Sequence, residues 1–268
     1  MDGVVAQVVA ITGASSGIGA AIATALARPG RVIRLIGRNA GRLETVADAC
    51  RAQGADCLAT SLDVRQPAAA AFLQSLDLEH PVDLLVLNAG VLDGRHAGES
   101  VEDGPTARSV LETNLLAALA NLHAVLPGMR RRRRGTILIV ASLAAFVPLA
   151  DAPAYSASKA ALVSYGLALR EALQDEGIKV TVACPGFVAT AMAQAHIGSR
   201  PGEISADSAA RTILEGLSKN TALVGFPRGA FWLSRLALFA PEWLRYRRMK
   251  ATRFHVAPLL PSRPHDGI

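Results

Sequence analysis

Three side chains near the middle of the chain have the types and spacing for proton chemistry. In SLAAFVPLADAPAYSASK (142–159), Ser142 opens the stretch and Tyr155 precedes Lys159 by four positions. On a helix, residues i and i+4 lie one above the other on the same face. An ammonium beside a phenol stabilises the phenolate, so the tyrosine pKa is expected to fall toward the working pH. A phenol tuned in that way trades a proton with an alcohol or a carbonyl oxygen. Ser142, at the end of the preceding strand, can hydrogen-bond the same oxygen. Tyr-x-x-x-Lys also occurs on solvated helix faces, so its weight rests on what surrounds it.

The surroundings read as alternating strands and helices. Residues 4–11 are a short apolar run rich in β-branched residues, suited to a strand buried on both faces of a parallel sheet. TGASSGIG (12–19) follows, then an apolar helix over 20–27. In that strand–turn–helix context Gly13 permits the tight turn and Gly17 lets a phosphate approach the backbone. Gly19 lets the helix pack closely, and the pyrophosphate sits at the helix N-terminus. Ser15, Ser16 and Ile18 complete the turn and join these glycines as candidate cofactor contacts.

A second strand over 31–37 ends in Gly37 and is followed by Arg38. A free ribose 2′-hydroxyl usually meets an acidic residue at this point, whereas a guanidinium suits a 2′-phosphate. NADP is therefore favoured, with NAD as the alternative. Helix 41–53, strand 57–62, helix 68–76 and strand 82–87 come next. Asp63 and Val64 close the third strand, with Asp63 placed to meet an adenine amine. Asn88, Ala89 and Gly90 close the fourth, where backbone can pass close to the ribose. After a polar loop (92–105), a helix is expected over 107–130 with Asn114 inside it. Asparagine is a poor mid-helix residue, so it marks either a local distortion or a place in the site.

Strand 136–141 leads to Ser142, helix 155–175 carries Tyr155 and Lys159, and strand 178–184 ends in Pro185 and Gly186. Residues 187–205 read as an irregular lid over a substrate. Helix 206–218 and strand 223–226 follow.

The bulk numbers agree with one large α/β domain. The chain has 268 residues, of which 51% are hydrophobic and 19% charged. Cys50, Cys57 and Cys184 lack metal-ligand spacing and read as reduced thiols of a cytoplasmic protein. The early aspartate argues against a signal peptide, and no apolar run reaches the roughly 20 residues of a spanning helix. The net charge of +6 is concentrated in Arg130–Arg134 and in 228–250; the remainder is mildly acidic, which argues against a nucleic-acid groove. The arginine tract itself reads as a solvated helix end that complements the helix dipole.

Taken in order, Thr12-Gly13-x-x-x-Gly17-x-Gly19, Asp63-Val64, Asn88-Ala89-Gly90, Asn114, Ser142, Tyr155-x-x-x-Lys159 and Pro185-Gly186…Thr190 resemble the short-chain dehydrogenase/reductases over about 4–226. The resemblance implies a Rossmann-like doubly wound parallel sheet in a single domain (1–227), with hydride transfer between NAD(P) and a carbonyl/alcohol pair. It implies Tyr155 as general acid/base and Ser142 as the group polarising the carbonyl. Lys159 would lower the tyrosine pKa and hold the nicotinamide ribose, and Asn114 would anchor a water relaying protons through Lys159. Val188 and Thr190 would border the nicotinamide carboxamide. Family members are commonly homodimers or homotetramers built on the helices that here contain Asn114 and Tyr155. Two departures are visible, Leu87 before Asn88 and Ala141 before Ser142, and neither removes a catalytic group.

The C-terminal helical extension (228–268) is least covered by the resemblance. Residues 231–254 hold six of the chain's 12 aromatics, interleaved with arginines, and Pro241 divides the run into two short helices. Three readings stand. The helices cover the substrate pocket or a subunit interface; they anchor the protein peripherally at the inner membrane face through 228–254; or the segment is disordered. The functional expectation is an NADP-dependent oxidoreductase interconverting a carbonyl and a secondary alcohol on a lipophilic or aromatic small molecule. A membrane-surface reductase of a lipid or acyl intermediate and a non-catalytic dinucleotide sensor are the alternatives.

Overall fold

The computed structural model describes residues 6–237, 239–251 and 253–257. The first two residues of the expected first strand, and the extension beyond 257, lie outside the described residues. β1 (Val8–Thr12) runs through the glycine turn into α1 (Gly17–Leu26), followed by β2 (Val32–Gly37), α2 (Ala40–Arg51), β3 (Asp56–Ser61), α3 (Pro67–Glu79) and β4 (Leu84–Leu87). α4 (Gly104–Leu111), a π-helical turn (Glu112–Leu116) and α5 (Ala117–Arg132) form one continuous run. β5 (Gly135–Val140), α6 (Pro153–Leu173) and β6 (Ile178–Pro185) come next. β7 (Val188–Ala189), α7 (Ala191–Gln194), β8 (His196–Ile197) and β9 (Ile204–Ser205) precede α8 (Ala206–Ser218) and β10 (Leu223–Phe226). The last described elements are α9 (Arg228–Ala237), α10 (Glu242–Ala251) and β11 (His255–Val256).

The seven long strands form one sheet in the order β10-β6-β5-β4-β1-β2-β3, every ladder parallel. β1 lies inside the sheet, with β2 on one side and β4 on the other. Its side chains alternate between two cores, as the period of two in a strand requires. Val9 and Ile11 face Ile22 of α1, Leu43 of α2 and Ile213 of α8. Ala10 faces Leu73 of α3, Leu122 of α5 and Leu162 of α6. Each fully buried aliphatic side chain of this kind contributes about 1.5–3 kcal/mol. Chain order reverses between β1 and β4, and the carboxyl ends of these strands open the crevice where such sheets bind ligands.

Two expectations are corrected. The run Gly104–Arg132 is long and apolar enough, by length and composition, to cross a membrane. Half of its apolar window is buried, with α5 against α3 and α4 against α6, which is the packing of a core helix. The arginine tract is not simply solvated. Arg130 pairs with Glu176 at 2.6 Å, Arg132 with the buried Asp77 at 2.7 Å, and Arg134 with Asp83 at 2.9 Å. Asp83 also accepts from the Gln7 and Val8 amides, so the tract ties the end of α5 to the start of β1.

Candidate active site

The glycine turn is shaped by its neighbours. Gly13 has φ +65°, and a Cβ there would lie 2.6 Å from Ala89 Cα. Gly17 has φ +58°, and its Cβ would lie 2.8 Å from Thr190 Cγ2. Both positions exclude larger residues, by conformation and by space. A Cβ at Gly19 would meet the Asn88 amide and the Gly13 carbonyl at 2.5 Å, so Gly19 makes room for Asn88 as well as for the helix. Ser16 caps α1 without a side-chain hydrogen bond, leaving first-turn amides without a side-chain acceptor. Ile18 packs on the core beneath, and Ser15 Oγ lies 3.6 Å from where a Gly37 Cβ would be, beside Arg38. This turn fits a dinucleotide pyrophosphate: a helix N-terminus, a backbone that can be approached, and Thr190 facing it across the gap.

Thr12, absent from the expected contacts, holds this region together. Its hydroxyl donates to the Val86 carbonyl at 3.2 Å and accepts from the Asn88 and Ala89 amides at 3.1 and 3.2 Å. Asn88 Nδ2 donates back to the Thr12 and Gly13 carbonyls. The first residue of the glycine motif was the available signal. At the adenosine end, Arg38 is exposed where β2 stops, and its carbonyl accepts from Ser61 Oγ at 3.1 Å. Asp63 is engaged by Arg65 at 2.6 Å, which holds its carboxyl below the usual range, with Arg38 adding to the effect. Arg65 is thus a second cation beside the expected adenine contact, and the sequence reading missed it. Val64 is buried, and its carbonyl accepts from Asn121 at 3.3 Å.

The proton-active residues meet at the ends of β4 and β5. Tyr155 sits in the first turn of α6 and Lys159 one turn later, 5.7 Å from the centroid of the tyrosine ring. Lys159 Nζ donates to the Val140 carbonyl at 3.1 Å. Ser142 Oγ accepts from the Ala144 amide at 3.1 Å and stands on the phenol side of Tyr155. The expected fall of the tyrosine pKa is not what this geometry gives. Burial pushes the phenol up, and the Ser142 hydroxyl nearby offsets this only in part. Burial also lowers Lys159 to about 8. Desolvation penalises both charged forms here, and the lysine ammonium is spent on a carbonyl rather than on the phenol oxygen.

Asn114 is fully buried in the π-helical turn, so its position is both a distortion and part of the site. π turns occur frequently at functional sites. Its Oδ1 accepts from the Val91 amide at 2.7 Å, and its Nδ2 donates to the Val91 carbonyl at 2.9 Å and to Ser158 Oγ at 3.2 Å. Both amide protons are therefore committed to protein, and the side chain braces the strand end against α6. A Cβ at Gly90 would stand 3.1 Å from Asn114 Oδ1 and 3.4 Å from Lys159 Nζ. On the far side of the crevice β6 ends in Pro185, and the Gly186 amide donates to the Phe226 carbonyl at 2.8 Å. Val188 is buried, and Thr190 caps α7. The segment 187–205, expected to be irregular, holds three short strands and α7; β7 pairs with β9, and β8 pairs with β11 of the C-terminal extension.

Comparison with known proteins agrees with this arrangement. The family model described as short chain dehydrogenase matches residues 7–199. An uncharacterized oxidoreductase of Myxococcus xanthus (strain DK1622) is 35% identical over 234 residues, covering 87% of this chain and 92% of that one. The 11-beta-hydroxysteroid dehydrogenase-like 2 of Arabidopsis thaliana is 31% identical over 253 residues, covering 91% and 81%. Among solved structures, a variant of actinorhodin polyketide ketoreductase with NADPH superposes with a TM-score of 0.74 at 27% identity, covering 84% of this chain and 97% of that one. A glycine turn built for a pyrophosphate, a serine–tyrosine–lysine cluster beside it and these likenesses lead to one conclusion: the chain belongs to the short-chain dehydrogenase family of oxidoreductases.

Proposed function

We propose that the protein uses NADPH to reduce the carbonyl of a lipophilic or aromatic small molecule to a secondary alcohol, and runs the reverse reaction with NADP. The carrying observation is the convergence of Ser142, Tyr155 and Lys159 at the strand ends next to the Gly13–Gly19 turn. The bound cofactor supplies hydride to the carbonyl carbon. The Tyr155 hydroxyl gives its proton to the carbonyl oxygen, and a phenol raised by burial is in the protonated state this step needs. Ser142, whose oxygen already accepts from Ala144, keeps its own proton to donate to the same oxygen. Lys159 favours the phenolate that remains and restores its proton. Asn114 holds the β4 end and α6 at the separation this requires. Arg38, with Arg65 nearby, supplies the charge for a 2′-phosphate. The test is nicotinamide absorbance across a panel of ketones and aldehydes, NADPH against NADH. No turnover on any of them, with cofactor still bound, would leave a dinucleotide sensor instead.

One observation favours a refinement, a reductase working at a membrane face. Trp232, Leu233, Leu236, Phe239, Trp243 and Tyr246 are exposed on and between α9 and α10, among arginines and a lysine. Aromatic residues interleaved with cations suit an anionic lipid interface. Sedimentation with anionic vesicles, lost in Trp232→Glu, supports it; no binding removes it. Assembly as a homodimer or homotetramer is assigned to the face of α5 and α6, beside which Leu116 of the π-helical turn stands exposed; its measurement is the mass in solution.

A further inference from the structure

We propose that Asp151 is a positioning residue: it fastens the C-terminal strand β11 across the substrate side of the site, making Phe254 and Val256 part of the wall that selects the carbonyl compound. The proposal rests on the reductase reading above. Asp151 lies four residues before Tyr155, and its side chain is 2% exposed. Its carboxylate accepts from Arg95 Nε at 2.7 Å, from Arg253 Nε at 2.7 Å and from the Phe254 amide at 2.9 Å. Arg95 also donates to the Phe254 carbonyl, and its own carbonyl accepts from the Val256 amide at 2.9 Å. The opposite edge of β11 pairs with β8, His255 against Ile197 and Val256 against His196. The Ala257 amide then donates to the Ala195 carbonyl at 2.8 Å. A strand of two residues is thus gripped on both edges by segments far away in sequence.

What it grips matters to the reaction. Leu92, Ala152, Phe254 and Val256 form one buried cluster, and Tyr155 packs against it. The Phe254 ring stacks on His196 at 4.1 Å between centroids, and His196 meets Phe187 edge-on at 5.0 Å. The aromatic line therefore runs from the end of β6, through the substrate segment, to the C-terminal strand. A buried carboxylate is tolerated only when it is fully partnered. Burial would push the Asp151 carboxyl up; the Phe254 amide and the two guanidiniums outweigh it and hold the carboxyl below its usual range. The two helices before β11 leave many of their apolar side chains exposed, whereas Phe254 and Val256 after them are buried with Tyr155 packed against their cluster. An apolar wall with stacked rings suits a flat, lipophilic ketone.

The experiment uses the full-length protein with NADPH, a series of aryl ketones of increasing size, and hydrogen exchange across 254–257. Asp151→Asn should raise KM for the larger ketones about tenfold, leave NADPH affinity within about twofold, and speed exchange at Phe254 and Val256. Arg253→Ala, at a half-exposed side chain, should raise KM for the larger ketones and speed exchange in the same way by less, again with NADPH affinity kept. Phe254→Leu should shift the preferred ketone size. Unchanged exchange and an unchanged size profile in the folded variants would overturn the proposal, as would a uniform loss of kcat and NADPH affinity without a KM shift. Should the parent protein reduce none of the ketones, the reductase reading fails, while the exchange measurement still decides whether Asp151 holds the strand.

Discussion

The two sides proposed for this molecule, one for the cofactor and one for the substrate, are assembled by different means. The cofactor side is built from short, local units: a strand end, a glycine turn and the first turn of a helix, stitched by the Thr12 and Asn88 side chains through hydrogen bonds to the backbone. Its tolerances are steric, set by Gly13 and Gly17 at positive φ with neighbours inside 3 Å. The substrate side is built from pieces far apart in sequence, residues 92–96, 149–155, 195–197 and 253–257, joined by one buried carboxylate and a two-residue strand pairing. The first kind of site is fixed by residue type at fixed spacing. The second depends on ion pairs and packing that can be exchanged without touching the first. A family that keeps its cofactor while changing its substrates would be built in this way.

Substitutions can separate the two sides, and the largest effect is expected at Gly13. Gly13→Ala combines a strained φ with a backbone collision and should weaken NADPH binding by at least about 100-fold in a fluorescence titration. Retained affinity would mean that the turn is not the phosphate site. Arg38→Asp should cost NADPH about 2 kcal/mol, roughly 30-fold, and leave NADH unchanged. Equal losses for both cofactors would remove the 2′-phosphate role. Thr12→Val strands the Asn88 and Ala89 amides, and chemical unfolding should show a loss of about 1–3 kcal/mol; no loss would deny it the role of stitch.

Lys159 stands between the two sides and gives the smallest, pH-dependent effect. Burial lowers it to about 8, so its ammonium is present below that pH and is lost above it. Carbonyl reduction should decline as pH rises through about 8, and a flat profile would show that the ammonium is dispensable. In the folded state this pKa lies below the ordinary lysine value of 10.5, so between about 8 and 10.5 the unfolded chain binds more protons. Stability of the parent relative to Lys159→Met should therefore rise across that window, as thermal melts at both ends can show.

The shape of the proposed cofactor side was legible in the sequence, because it follows from glycines, strand ends and a helix start at fixed spacing. The seven strands and their alternation with helices were legible for the same reason. Local pattern could not show that Asn114 sits in a π-helical turn with its amide already committed, since that depends on Val91 and Ser158 across the fold. The direction of the tyrosine pKa was misread because spacing gives proximity to Lys159 but not burial, and burial dominates. The arginine tract looked solvated because its partners Asp77, Asp83 and Glu176 lie about 40 to 60 residues away, brought close only by packing. The C-terminal aromatics suggested a cover; the strand proposed above to serve as one is two residues long and has no periodicity to read.

The central claim is that the Tyr155 hydroxyl delivers the proton while the nicotinamide delivers hydride. Tyr155→Phe removes one oxygen and keeps the ring packed on the Phe254 cluster. Measured in single turnovers with saturating NADPH and a ketone the parent reduces, the variant should lose about 10²–10⁴-fold in rate while binding NADPH as the parent does. A Phe variant that reduces the ketone at the parent rate would contradict the account.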